Sequence, residues 1–326
     1  MQFKEMTSLR RFIAMAIVLL IVSAMLAGCG RIVENAPKSI SIYATFYPVY
    51  ALTDAVMRDV PDAELHCLAQ PQDGCLRSYQ LSDWDVALLA SGADAVIAGG
   101  RGLESFESAL FEWGDNGPAI SALLYNLELY NQNGSSAVSG EEESHLAGPN
   151  PHLYMSIAGA KQMTESIYAM MLSLDPKYAD LYVENAGKAS EQLDALLAEM
   201  QAMLNPFGGE RVILMNEALI YTAQDFDFEV ADWIDRESGV GMYGEELSAC
   251  IERLSVCEAK VVLIERQAPS ALVEALESAG YAVARIDVMS THREGEGFET
   301  YLEIQRSNAS AIHEAFMRAD SLEDIN

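Results

Sequence analysis

The residues of this chain with the most chemistry to offer are few and widely spaced. His152 follows Asn150-Pro151, Asn216-Glu217 follows a short apolar run, and Glu265 and Asp287 each close another. Imidazole nitrogens and carboxylate oxygens are the donors that hold zinc or manganese, so His152, Asp287, Glu217 and Glu265 are candidate ligands. Arg77 has the opposite character. Its guanidinium has no lone pair to give and keeps its charge, so it can grip a carboxylate but not a metal ion. No nucleophile stands in a recognisable arrangement with a base, and Gly99-Gly100-Arg101-Gly102 is not a phosphate-loop pattern. The residues point to binding, not to catalysis.

Cysteine is the other reactive type. Cys29 follows a basic start (Lys4, Arg10, Arg11), an apolar run from Phe12 to Leu26, and the small residues Ala27 and Gly28. That order is the order of an export signal, and the apolar run is shorter than the ~20 residues that a membrane span needs. Leu26-Ala27-Gly28-Cys29 resembles a bacterial lipobox, which implies cleavage before Cys29 and lipid on its thiol. The expected location is the outer face of the cytoplasmic membrane, with the lipid bilayer as a partner. The other four cysteines form two close pairs, Cys67 with Cys75 and Cys250 with Cys257. Outside the cytoplasm such pairs read as disulfides, with thiolate metal ligation at Cys67/Cys75 as the competing reading.

The elements that must position these residues alternate between strand and helix. Ser39 to Phe46 reads as a strand, Tyr47 to Val60 as a helix with Pro48 in its first turn, and Ala63 to Ala69 as a second strand. Ser82 to Ser91 is helical, Ala93 to Ala98 a strand, and Leu103 to Glu112 helical. Pro176 to Leu204 keeps apolar residues at helical spacing for about 40 Å. After it the alternation restarts. Strands are expected at Arg211 to Met215, Asp225 to Glu229, Ala259 to Glu265 and Tyr281 to Asp287. Helices are expected at Gly244 to Leu254, Ser270 to Ala279 and Phe298 to Met317. The fold class is therefore α/β: two lobes, each a small parallel sheet flanked by helices, joined by one long helix. The expected division is a signal peptide at 1–28, a tether at 29–38, an N-terminal lobe at 39–175 with a polar loop at 131–149, a connecting helix at 176–206, and a C-terminal lobe at 207–326. Ligands of such sheets bind beyond the carboxyl ends of the strands, which is where Thr45-Phe46-Tyr47, the loop from Gln70 to Tyr79, Asn216-Glu217, Glu265 and Asp287 fall.

Composition narrows the partners. The formal net charge is −29, which offers no neutralisation to phosphate and excludes nucleic acid. Half the residues are apolar, so the chain is globular. A monomer is expected.

Several segments together resemble the zinc- and manganese-type (TroA-like, cluster A-I) solute-binding lipoproteins of metal ABC transporters. Phe46-Tyr-Pro-Val-Tyr-Ala-Leu-Thr-Asp-Ala-Val is close to that family's opening, and Tyr79-Gln-Leu-Ser-Asp-Trp-Asp-Val-Ala-Leu-Leu resembles its "YEPSPSDVAAL". Asn150-Pro-His-Leu-Tyr resembles "DPHVW", and Tyr301-Leu-Glu-Ile-Gln-Arg-Ser-Asn matches its C-terminal helix. The resemblance implies a metal ion, Zn or Mn, held between the lobes as transported ligand, and an ABC permease as membrane partner. It also implies a site of three histidines and one carboxylate. Carried across, His152 and Asp287 keep their family roles, while Arg77 and Asn216 stand where the family has its other two histidines. The family's histidine-rich loop is reduced here to Glu141–Glu143 and His145.

Three readings of this altered site stay open. Arg77 takes the ion's place and bridges to Asp287, with Asn216 and His152 as hydrogen-bond partners. Arg77 receives the anionic group of a small solute. A rebuilt metal site draws on His152, Asp287, Glu217, Glu265 or reduced Cys75. The first two define the alternative function: a diverged member that has lost metal, needs no cofactor, and binds another solute or serves surface adhesion.

Overall fold

A computed structural model describes residues 39–70, 79–114, 117–130, 148–234, 236, 239–290 and 294–323. The expected lipidation site Cys29, together with Cys75, Arg77, Glu141–Glu143, His145 and His292, lies outside them.

The chain from Ile40 builds two four-stranded, wholly parallel sheets. The first contains β1 (Ile40–Ala44), β2 (Ala63–Cys67), β3 (Ala95–Ala98) and β4 (Ala119–Ala122), in the spatial order β2-β1-β3-β4. The second contains β5 (Arg211–Leu214), β6 (Glu229–Trp233), β7 (Val261–Glu265) and β8 (Ala282–Ile286), in the corresponding order β6-β5-β7-β8. Side chains alternate between the two faces of each strand. Ile42, Ala44, Val212 and Leu214 therefore join one large core cluster, while Tyr43 and Ile213 join smaller clusters on the outer faces. Both faces of each sheet are covered, as parallel sheets require.

Helices α1 (Tyr47–Met57), α2 (Asp83–Gly92) and α3 (Glu107–Phe111) belong with the first sheet. They are followed by α4 (Ile157–Leu174) and the long α5 (Ala179–Leu204). The second sheet carries α6 (Ile220–Asp225), α7 (Gly244–Ser255), α8 (Ser270–Ser278) and the closing α9 (Phe298–Glu323). Ser82 begins α2 with a capping box, its hydroxyl accepting from Asp85 N while the Asp85 carboxylate accepts from Ser82 N. In α5, Tyr182 is wholly buried, and Asn185 donates to the carbonyls of Val56 and Arg58, satisfying the end of α1. Among the described residues no helix is long and apolar enough to cross a membrane.

Three elements differ from the sequence expectation. The helix expected from Leu103 begins only at Glu107. Residues 99–104 instead form a turn with positive φ at Gly100, Arg101 and Gly102. The buried Glu104 carboxylate lies inside that turn, accepting from Gly99 N at 2.7 Å, Gly100 N at 2.8 Å and Thr45 Oγ1 at 2.7 Å. Burial pushes its carboxyl pKa upward against those donors. A Cβ on Gly100 would approach Ala122 Cβ to 2.9 Å in a left-handed backbone, so the turn needs glycine there. Second, Asp225 ends α6, and the strand expected to start there is β6, beginning at Glu229. Third, β4 carries only partly buried and exposed residues, and its Ala119-Ile-Ser-Ala122 pattern gave no strand signal.

Candidate functional site

His152 precedes a single 3-10 turn, Leu153–Met155, and α4 starts two residues later. Its ring is locked by Asn150, whose Oδ1 lies 2.8 Å from Nδ1 and also accepts from His152 N at 3.0 Å. With Nδ1 donating to Asn150 by this assignment, Nε2 keeps its lone pair. That nitrogen faces Glu217, with Oε1 3.9 Å away, and both side chains are largely buried. Asn150 also positions the second residue. Its Nδ2 donates to Glu217 O at 2.8 Å, and its own carbonyl accepts from Tyr221 Oη at 2.7 Å. One buried amide thus ties the histidine of the first lobe to the loop after β5 in the second.

Asp287 lies just beyond β8 and is 3% exposed. Asn308 on α9 holds it by two backbone contacts, accepting from Asp287 N at 2.8 Å and donating to Asp287 O at 2.9 Å. Met289 N donates to Oδ1 at 2.8 Å, and the Arg266 guanidinium sits 3.0 Å from Oδ2. Tyr154 links the two halves. Its ring meets the His152 ring edge-on at 5.8 Å, and its hydroxyl donates to the carbonyl of Val288, next to Asp287. Tyr47 is buried nearby, and its hydroxyl pKa is driven up first by burial, then by the charges of Glu296 and Asp287.

The other candidates divide. Asn216 is buried, and its Oδ1 accepts from Ala218 N at 2.9 Å, capping the turn Glu217–Leu219. Glu265 is not free to ligate an ion: both of its oxygens lie 2.6 Å from Arg236 Nη1 in a fully buried ion pair, and Gly239 N donates to Oε1. A carboxylate desolvated this way must keep its partner, so Glu265 leaves the set of substitute ligands.

The disulfide expected at Cys250 and Cys257 is absent, and both are free thiols. Cys250 lies on the inner face of α7 and Cys257 just past its end. Seven residues of helical rise separate them by about 10 Å, beyond disulfide reach. Cys67 is also a free thiol; it is buried, its Sγ donates to Ala69 O, and its pKa is pushed up to about 12 by burial. His66 packs against the Tyr43 ring at a tilt and lies between Glu64 and Glu294. Among the described residues, no three His, Cys, Asp or Glu side chains converge closely enough to hold a metal ion in this conformation.

Three residues, Arg266, Asn308 and Gln305, have no role that the sequence alone assigns. Arg266 is placed beside Asp287 by strand register, which a single sequence does not display. Asn308 and Gln305 were visible only as part of a motif, without their function.

A family profile described as "Zinc-uptake complex component A periplasmic" matches residues 42–315, most of the chain. The chain belongs to the ZnuA family. A relative from Streptococcus pneumoniae, the zinc-binding lipoprotein AdcA, is 23% identical over 292 residues, covering 86% of this chain and 56% of the relative. The chain spans about half or less of the length of the curated relatives it matches. Among solved structures, FpvC from Pseudomonas aeruginosa in complex with Mn2+ superposes with a TM-score of 0.71 at 22% identity, covering 86% of this chain and all of that one. Zn(II)-bound AdcA gives a TM-score of 0.71 at 19% identity, covering 85% of this chain and 57% of that chain. The shared fold is that of the two-lobed solute-binding proteins, and the two parallel sheets seen here are its two lobes.

Proposed function

We propose that this ZnuA-family protein is an extracytoplasmic solute-binding lipoprotein of a metal-ion ABC transporter, and that it takes a divalent cation between its lobes. The observation that carries this reading is the His152–Glu217 pair. An imidazole nitrogen faces a carboxylate at 3.9 Å, and both residues are oriented by Asn150. Metal-ligating histidines characteristically have their other nitrogen held by an oxygen acceptor in this way. Asp287 is the third donor of this reading, brought to the pair as the cleft closes and Arg266 is withdrawn. The donor set of one nitrogen and two carboxylates suits zinc or manganese, with water completing the coordination.

Lipid on Cys29 would hold the receptor beside its permease, as a monomer whose cleft closes on the ion without catalysing a reaction. The division into tether, two lobes and connecting helix serves that arrangement. Arg77, and with it the expected Arg77–Asp287 bridge, lies outside the described residues; among those described, Arg266 is a cation beside Asp287.

Calorimetric titration of the purified, metal-stripped protein with Zn2+ and Mn2+ tests the reading. One ion per chain is expected to bind the wild type, with binding lost or reduced by about 100-fold or more in His152→Ala. Absence of saturable binding by the wild type, or binding that is indifferent to His152→Ala, removes it.

A further inference from the structure

The register of the second sheet pairs Glu265 with Ile286. The next residues along the two strands, Arg266 and Asp287, are therefore neighbours. Arg266 N continues the ladder by donating to Ile286 O at 2.7 Å, and its side chain follows the pleat to the face opposite Glu265. Glu265 turns to Arg236, while Arg266 turns to Asp287, with Nη1 and Oδ2 3.0 Å apart. Adjacent residues on one strand thus enter two separate ion pairs.

The two pairs differ in what they can do. In the first, Arg236 and Glu265 are 4% and 0% exposed, so neither charge can leave without stranding the other. In the second, Asp287 is 4% exposed but Arg266 is 57% exposed. The carboxylate is pinned by Met289 N and by the two contacts of its backbone with Asn308. Among the described residues nothing comparable pins the guanidinium, which can rotate into water. A half-exposed pair of this kind adds little to folding stability, so stability does not account for Arg266 lying there. A divalent ion and a guanidinium repel each other and compete for the same lone pairs, and they cannot occupy Asp287 Oδ2 together.

We propose that Arg266 is a displaceable counter-ion that sets the cleft's affinity for a divalent cation. It covers the Asp287 carboxylate in the unloaded receptor and swings outward when the ion enters. The proposal rests on the metal-binding reading of the cleft. In it, Arg266 is a positioning residue that pairs with the Asp287 carboxylate in the empty site without ligating the ion. Loading exchanges one cation for another, and release is assisted by the guanidinium returning to its carboxylate.

The test compares wild type, Arg266→Gln, Arg266→Ala, Arg266→Lys and His152→Ala by titrating Zn2+ in competition with a chromophoric chelator, with metal-free thermal unfolding as a check on folding. The two charge-removing variants are expected to bind zinc about tenfold more tightly than wild type, a difference of about 1.4 kcal/mol. Arg266→Lys keeps the cation and is expected to stay within about threefold of wild type. Unfolding temperatures without metal should be unchanged, since a merely structural role would lower them and weaken binding together. If His152→Ala loses zinc but Arg266→Gln and Arg266→Ala bind it no more tightly than wild type, the counter-ion proposal is overturned and the metal reading stands. If neither wild type nor the Arg266 variants take up zinc, both fall.

Discussion

Asn150 carries more of the site than either residue it orients. Its amide oxygen selects the tautomer of His152, its amide nitrogen holds the Glu217 carbonyl, and its own carbonyl receives the Tyr221 hydroxyl. Replacing it with alanine removes all the side-chain contacts while leaving every ligand in place. Asn150→Ala is therefore expected to weaken zinc binding by about 10- to 100-fold in the calorimetric titration, with the wild-type stoichiometry retained. Wild-type affinity in that variant would show that His152 needs no such support. The sequence displays Asn150 as part of Asn-Pro-His and His152 as a ligand type, but it cannot display that they touch. For the same reason it made Glu217 and Glu265 equivalent candidates. Burial against Arg236 separates them, and that depends on a residue nearly thirty positions away.

At the scale of elements, α9 does most to bring the site together. Tyr301, Gln305 and Asn308 repeat at helical spacing along one face. Tyr301 and Gln305 donate to the carbonyls of Tyr154 and Met155 beside His152, while Asn308 holds Asp287. A single helix face thus grips both halves of the cleft. A second cross-link joins α6 to the start of α4. Asp225 accepts from Ser156 Oγ at 3.0 Å and from Ile157 N at 3.2 Å, and burial raises its pKa to about 6. Because the folded-state value lies above the unfolded one, the proton binds the folded protein more tightly. The stabilisation that results is complete below about pH 4 and is lost as pH rises through about 6. Relative to Asp225→Asn, the wild type should lose up to about 3 kcal/mol of unfolding free energy between pH 4 and pH 7. Denaturant unfolding across that range measures it, and parallel pH profiles for the two proteins would contradict it. Strand-helix alternation was legible throughout, because buried central strands such as Val261–Glu265 and amphipathic helices such as α5 carry strong patterns. What escaped was local and polar. Edge strand β4 buries too little to leave a pattern, and the turn at 99–104 follows from a carboxylate folding back onto its own backbone.

For the whole molecule, the same strand order occurs twice, so each lobe has a crevice where connections leave its two central strands in opposite directions. Sheets of this kind commonly hold the phosphate of a nucleotide at that point. Here each crevice already has an internal occupant. Glu104 accepts two backbone N–H groups and the Thr45 hydroxyl beyond β1 and β3, and Glu265 accepts Arg236 and Gly239 N beyond β7. With both crevices filled from within, the opening between the lobes is left as the place for a ligand. Glu104 therefore acts as a tethered anion, covalently supplied to a receptor that would otherwise take one from solution. Cutting the side chain away should uncover that receptor. Glu104→Ala is expected to cost about 2–4 kcal/mol, because its backbone donors lose their partner inside the protein. It should then recover part of that loss in millimolar sulfate or phosphate, read as an anion-dependent rise in unfolding temperature that the wild type does not share. The first lobe of a protein proposed to receive a cation would then bind an oxyanion, at a site it has kept closed with a residue of its own.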